Sequence, residues 1–157
     1  MLIAIAGPPC AGKSTIAAEA ARRLGIPHLS MDATRQRILP GAAHTRADRQ
    51  MAYRAMLMAA ELLQGAGAAV ILDAPYGHEE DRIALSVLSP LWVECKVSPE
   101  EAVRRLRQRG FDPQRADLTE DVVRRSAEEY RYMAELVLDT EAMSVEECVA
   151  QVIRFAT

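Results

Sequence analysis

The sequence predicts a doubly wound α/β domain built on a parallel sheet. Two observations carry that prediction. Short apolar runs alternate with longer stretches of helical period, and the first run, Leu2–Ala6, is apolar at every position, as a strand buried on both faces must be. A third is bulk. With 157 residues, 50% of them hydrophobic, the chain can close a core without covalent staples. It fits one domain over 1–157, without internal repeats, low-complexity tracts or a linker.

The elements follow in order. Leu2–Ala6 lacks the basic leader of a signal peptide and reads as the first strand. A helix over Lys13–Leu24 closes at Gly25, with Pro27 beyond it. Residues 28–32 form a short second strand, and 33–45 are polar and broken by Pro40-Gly41, with room for a short helix over 33–39. A long helix over 46–64 stops at Gly65 and Gly67; its Met51, Met56, Met58, Leu62 and Leu63 are assigned to core packing. Residues 68–73 form the third strand, 79–88 a helix and 91–97 the fourth strand. Ser98-Pro99-Glu100-Glu101 is a strong helix start, with a serine cap, proline in the first turn and two acids behind it. That helix runs to Gly110; after a loop over 111–118, Thr119 caps a helix reaching about Glu135. Residues 136–139 supply a fifth strand, and Ser144 caps the last helix.

Composition narrows the function. A net charge of -3 and 4% aromatic residues argue against a general nucleic-acid binder. No apolar stretch approaches the roughly 18 residues of a membrane span. Cys10, Cys95 and Cys148 are odd in number and far apart, so they make neither a disulfide framework nor a zinc set, and a cytoplasmic location is expected. Lys13 and Lys96 are the only lysines, which makes the position of Lys13 worth explaining.

Gly7-Pro8-Pro9-Cys10-Ala11-Gly12-Lys13-Ser14 matches the phosphate-binding loop GxxxxGK[ST], between an apolar strand and a helix as that motif requires. Successive main-chain amides and the helix N-terminus would face the phosphates of a nucleotide, with Thr15 completing the segment. Lys13 would reach the β- and γ-phosphates and Ser14 would hold Mg²⁺. Cys10 reads as a small space-filling residue.

Further motifs follow the loop. Ser30-Met31-Asp32-Ala33-Thr34-Arg35 closes the second apolar run, Val70-Ile71-Leu72-Asp73 the third, and Arg104-Arg105-Leu106-Arg107-Gln108-Arg109 follows the fourth. Over essentially the whole chain, these motifs resemble the small P-loop kinases: adenylate, shikimate and gluconate kinases, chloramphenicol phosphotransferase, zeta toxins and the kinase part of polynucleotide kinases. The resemblance implies a P-loop three-layer α/β/α fold with a five-stranded parallel sheet ordered 2-3-1-4-5. It also implies a short helical lid over about 105–120, and ATP with Mg²⁺ as cofactors.

Residue roles are carried over from that resemblance. Asp32 would orient the acceptor and take its proton, Arg35 would contact an anionic part of the acceptor, and Asp73 would hold Mg²⁺ or position the acceptor. Arg105 and Arg109 lie on one helix face and would meet ATP; Arg109 and Arg115 would neutralise the transferring phosphoryl group. The family's next arginine position falls on Ser126, with Arg125 beside it, a departure from the pattern. Asp139-Thr140 stands where related kinases touch adenine. A helix-cap role remains open for Asp32, a solvated face for Arg35 and Arg37, a structural turn role for Asp73 beside Pro75 and Gly77, and a solvated, salt-bridged face for the lid arginines. For a nucleoside monophosphate acceptor, Arg35 and Arg82 would be the anion-clamping pair.

The reading that results is an ATP-dependent kinase acting on a hydroxyl, or a phosphate, of a small molecule. The alternative is a nucleotide-binding regulatory module or slow NTPase without an acceptor. A nucleic-acid 5′-hydroxyl kinase is a lesser alternative, lacking here the aromatics and basic groove it would need. No membrane partner is expected, and the sequence leaves the oligomeric state open.

Overall fold

In the computed structural model, which describes residues 1–41 and 43–157, Leu2–Ala6 (β1) occupies the middle of a five-stranded sheet. It is flanked by Val70–Asp73 (β3) and Leu91–Lys96 (β4), with His28–Ser30 (β2) and Leu136–Asp139 (β5) at the edges. All pairings are parallel and the order is β2-β3-β1-β4-β5. The helices are α1 (Lys13–Leu24), α2 (Met31–Ile38), α3 (Arg46–Gly65), α4 (Glu79–Ser86), α5 (Pro99–Arg109), α6 (Glu120–Glu129) and α7 (Val145–Ala156).

Strand periodicity divides the core in two. Ile3 and Ile5 face a layer formed with Ile16, Val103, Val123 and Val149 of α1, α5, α6 and α7, whereas Leu2, Ala4 and Ala6 face Met31, Met56 and Leu85 of α2, α3 and α4. The result is a three-layer α/β/α fold. Ile3 and Ile5 are fully buried, and burying side chains of that size contributes about 1.5–3 kcal/mol each. Among the described residues, no helix is long and apolar enough to cross a membrane.

Caps decide several boundaries. The Ser98, Thr119 and Ser144 hydroxyls accept hydrogen bonds from the amides of Glu101, Val122 and Glu147. Thr45, not anticipated as a cap, forms a reciprocal capping box with Asp48. The second strand stops at Ser30 instead of reaching Asp32, because Ser30 takes the extended N-cap position of α2 and Met31 packs into the core. Asp32 therefore stands in the first turn of a helix, where its charge suits the helix dipole.

Other expectations shift as well. The third strand begins at Val70 rather than residue 68, and α4 ends at Ser86 rather than 88. The expected helix to Glu135 ends at Glu129, since Tyr130 adopts an extended conformation. Beyond it the amides of Met133 and Ala134 donate to the buried Glu94 carboxylate at 2.6 and 2.8 Å, bonds that a continuing helix would have used internally. The loop after α5 contains a 3₁₀ turn, Pro113–Arg115. On α3, only Met56 of the methionine series is buried; the helix packs through Ala52, Met56 and Ala60, while Met51, Met58 and Leu62 are exposed. A helix turns 3.6 residues per revolution, so positions 51, 58 and 62 share the face away from Met56.

Candidate active site

The candidate site forms at the C-terminal edge of the sheet, where ligands of open α/β sheets gather. β1 delivers the chain into Gly7, whose φ of 142° and position tolerate no side chain: a Cβ there would lie 2.5 Å from the Cys95 carbonyl oxygen of β4. Cys10, at φ 64°, is a non-glycine residue in the left-handed region, a strained conformation of the kind that clusters at ligand clamps. Its side chain is buried in the first core beside Ala11, in keeping with space filling. Gly12 precedes α1 at φ 87° and provides no side-chain cap. The opening amides of Lys13, Ser14 and Thr15 are left with the affinity for an anion that an uncapped helix start carries.

Four side chains gather behind this loop: Lys13, and the linked set of Ser14, Asp73 and His28. Lys13 Nζ donates to the Pro8 carbonyl at 2.7 Å, and Ser14 Oγ donates to Asp73 Oδ1 at 2.8 Å. His28 Nε2 contacts the other Asp73 oxygen. Burial lowers the Lys13 ammonium from its ordinary value, against an opposing pull from Asp73. Asp73 is 3% exposed. A hydroxyl and a carboxylate in contact are hard oxygen donors of the kind Mg²⁺ takes from protein when phosphates and water complete its shell. The pair fits that ion as a substrate-assisted site; among the described residues no group of three or more His, Cys, Asp or Glu side chains forms a self-sufficient metal cage.

Two cavities share a boundary. The phosphate cleft is lined by Lys13, Ser14, Asp32, Asp73, Arg109 and Arg115. A second cavity of 360 Å³ continues past Asp32 and Arg115 to Arg35, Tyr53, His78 and Tyr130. On that boundary Arg115 Nη1 donates to Asp32 Oδ2. Arg35, on the first turn's neighbouring position of the same helix, is only 3% exposed, which removes the solvated-face alternative. Arg37 is exposed and, like Thr34, lines neither cavity.

On the other side of the loop a cavity of 330 Å³ runs between α1, α5 and the turn after β5, lined by Thr15, Arg105, Arg109 and Thr140. Arg105 is tied down there: it donates to Glu101 at 2.8 Å, to the Cys10 carbonyl at 3.2 Å, and to the Thr140 hydroxyl and carbonyl at 3.0 and 2.7 Å. Arg109 is exposed and borders the phosphate cleft and this cavity. Of the arginines near the departed family position, Arg124 lies 3.3 Å from Glu100 on the surface, while Ser126 lines the 360 Å³ cavity.

Arg82 belongs to the wall rather than to an anion clamp. Its guanidinium pairs with the fully buried Glu94 and donates to the Tyr76 carbonyl at 2.8 Å and the Tyr130 hydroxyl at 2.9 Å. Tyr130 in turn donates to the Pro75 carbonyl at 3.0 Å; burial raises its phenol above the ordinary value, which keeps that proton in place. Tyr53 completes the wall, its hydroxyl accepting from the Tyr76 amide at 3.1 Å. Sequence reasoning missed this network, although a carboxylate inside an apolar strand, Glu94 in Leu91–Lys96, already demands a buried cation. His28 was missed too, and no motif marks it.

A family model described as an AAA domain matches residues 2–133. Comparison with curated protein sequences gives no match. Among solved structures, a sugar kinase from Janibacter sp. HTCC2649 is similar with a TM-score of 0.77 and 18% identity, over 99% of this chain and 93% of that one. The APS kinase CysC of Mycobacterium tuberculosis, in complex with AMPPNP and APS, gives 0.76 and 21%, over 99% and 96%. A shikimate kinase from Acinetobacter baumannii, in complex with shikimate, gives 0.74 and 18%, over 99% and 92%. At such identities the likeness is one of fold. With the family model spanning most of its length and kinase structures matching 99% of it at TM-scores of 0.74–0.77, the chain belongs to the AAA domain family and has the fold of the small P-loop kinases.

Proposed function

We propose that the protein is an ATP-dependent kinase that transfers the γ-phosphoryl group to a hydroxyl of a small-molecule acceptor. The observation that carries this reading is the shared boundary of two cavities: Asp32 and Arg115 stand between the phosphate cleft and a separate 360 Å³ chamber. A nucleotide switch or slow NTPase needs the first space and has no use for the second.

In the mechanism, the amides of the phosphate loop and Lys13 hold the triphosphate, and Lys13 leaves the Pro8 carbonyl to do so. Ser14 and Asp73 would hold Mg²⁺, which when bound would supply neutralisation of charge on the phosphates. Arg115 turns from Asp32 toward the phosphoryl group, joined by Arg109, and so frees the carboxylate for the acceptor. The acceptor oxygen bonds to the γ-phosphorus as the bond to the bridging oxygen breaks. ADP leaves, and the hydroxyl proton passes to Asp32. The segment over 105–120 acts as the lid that keeps water from replacing the acceptor.

An ADP-release assay over hydroxylated metabolites, nucleotides and oligonucleotides tests the reading. At least one small hydroxyl compound should stimulate ADP formation, and Asp32→Asn should abolish the stimulation while nucleotide binding persists. ADP release indifferent both to every acceptor and to Asp32→Asn would overturn it in favour of a slow NTPase.

A further inference from the structure

We infer that His28 is a positioning residue for the metal-bound nucleotide: it holds the Asp73 carboxylate in the orientation that presents Oδ1, with Ser14, to Mg²⁺. The inference rests on the kinase reading for its nucleotide and its ion, and asks nothing of the acceptor. The two Asp73 oxygens divide the labour. Oδ1 accepts from the Ser14 hydroxyl at 2.8 Å, on the side of the phosphate cleft. Oδ2 is bound by His28 Nε2, its one hydrogen-bonding partner among the described residues.

The sheet register lets a residue of the edge strand reach the site. β2 and β3 pair with Ser30 opposite Asp73 and His28 opposite Ile71. Side chains two positions apart on a strand share a face, so His28 and Asp73 project to the α1 side, where Ile71 is packed. Their Cα atoms lie diagonally across the pair, about 8 Å apart, a gap that an imidazole and a carboxylate close between them. Ser30, directly opposite Asp73, is drawn instead into the N-cap position of α2. His28 lines neither the phosphate cleft nor the 360 Å³ chamber. It therefore acts on the ion through Asp73 and touches no substrate.

The contact answers two needs. The Asp73 side chain is 4% exposed, and a carboxylate oxygen so withdrawn from water is costly without a donor. An ionised carboxylate only accepts, so the bond places a proton on Nε2 and points it at Oδ2. Held there, the carboxylate cannot turn about its Cβ–Cγ bond to offer Mg²⁺ the other oxygen, or both together. Mg²⁺ demands near-ideal octahedral geometry and tolerates little error in a ligand's direction. Carboxylates that ligate metals are themselves hydrogen-bonded, and losing such a partner costs about 10–100-fold in metal affinity or activity. His28 belongs to neither apolar core, so it can be exchanged without opening one.

The test needs neither acceptor nor turnover. A nonhydrolysable ATP analogue is titrated into the full-length protein by calorimetry, first with EDTA and then over a range of Mg²⁺ concentrations. His28→Ala should bind the metal-free analogue as the unsubstituted protein does. The Mg²⁺ concentration that half-maximally tightens binding should rise about 10–100-fold. His28→Gln, whose amide can donate to Oδ2, should recover part of the loss. An unchanged Mg²⁺ requirement would overturn the inference, and so would equal weakening with and without Mg²⁺, which marks a purely structural role. Should His28→Ala fail to fold, the unsubstituted protein decides, through nitrogen NMR of its three histidines. Adding Mg²⁺ to the analogue complex should shift the His28 ring nitrogens, because a metal on Oδ1 draws charge from the carboxylate that accepts from Nε2. A His28 signal blind to Mg²⁺, or analogue binding that ignores Mg²⁺ altogether, overturns the inference. The kinase reading stands or falls separately, on acceptor-stimulated ADP release and its loss in Asp32→Asn.

Discussion

The Asp32 carboxylate and the Arg115 guanidinium, 83 positions apart in the chain, pair with each other at the threshold between the phosphate cleft and the acceptor chamber. Each is the group the proposed reaction needs elsewhere, one at the acceptor hydroxyl and the other at the phosphoryl oxygens. The pair keeps both in place until substrates offer better partners.

Asp32→Asn separates catalysis from stability. The side chains of Asp32 and Arg115 are 34% and 26% exposed, and a pair so well hydrated contributes below about 1 kcal/mol to folding. Loss of a positioned base costs about 10²–10⁴ in turnover. Acceptor-stimulated ADP release should fall by that factor while the melting temperature moves by no more than about 2–4 °C. A large drop in melting temperature would instead make the pair structural.

Gly7→Ala should distort the loop itself and, through it, weaken nucleotide binding. The added Cβ would meet a main-chain oxygen, Cys95 O at 2.5 Å, which cannot swing away as a side-chain tip can, and φ 142° is itself hostile to an L-residue. Either β1 or β4 must shift. Calorimetry should record a lower melting temperature without nucleotide, and titration with Mg-ATP should show weakened binding. By contrast, Gly12→Ala meets nothing closer than the Arg105 guanidinium at 3.9 Å, so its penalty is confined to the backbone angle.

Most of the architecture was legible because it rests on local patterns. The run Leu2–Ala6, the caps at Ser98, Thr119 and Ser144, and the loop from Gly7 to Ser14 each carry their instruction within a few residues. What was not legible depends on partners distant in sequence. α6 stops at Glu129 because Glu94 takes the amides of Met133 and Ala134, some 40 positions away. Met58 and Leu62 read as core and are exposed, because α3 packs on its alanine face. Arg35 and Arg82 read together as an anion-clamping pair for a nucleoside monophosphate, and only the fold shows that Arg82 already has its carboxylate.

Glu94→Gln tests that wall. The glutamine keeps the shape and one acceptor oxygen for the amides of Met133 and Ala134, but leaves the Arg82 charge uncompensated beside a fully buried site. Removing one partner of a buried pair costs about 3–5 kcal/mol, which for a chain of this size lowers the melting temperature by roughly 10 °C. Removing the Arg82 charge as well should recover part of the loss: Arg82→Met in the Glu94→Gln background should destabilise less than the two single changes added together. Strict additivity would show that the two side chains act independently.

Lys13→Met sets function against stability. Burial holds the Lys13 ammonium below its ordinary value of 10.5, so the unfolded chain binds that proton more tightly than the folded one does. The charge therefore opposes folding at every pH below the folded-state value, and the opposition fades as pH rises from there to 10.5. Replacing it by methionine should raise the melting temperature of the nucleotide-free protein, most clearly near neutral pH, with the difference narrowing in alkaline buffer. The same variant should lose the stabilisation that a nonhydrolysable ATP analogue gives the unsubstituted protein, since a ligand stabilises only the state that binds it. Paired thermal scans with and without the analogue read both effects. A variant less stable at neutral pH would show that the charge does not oppose folding, and one that keeps its full response to the analogue would remove Lys13 from the phosphate grip.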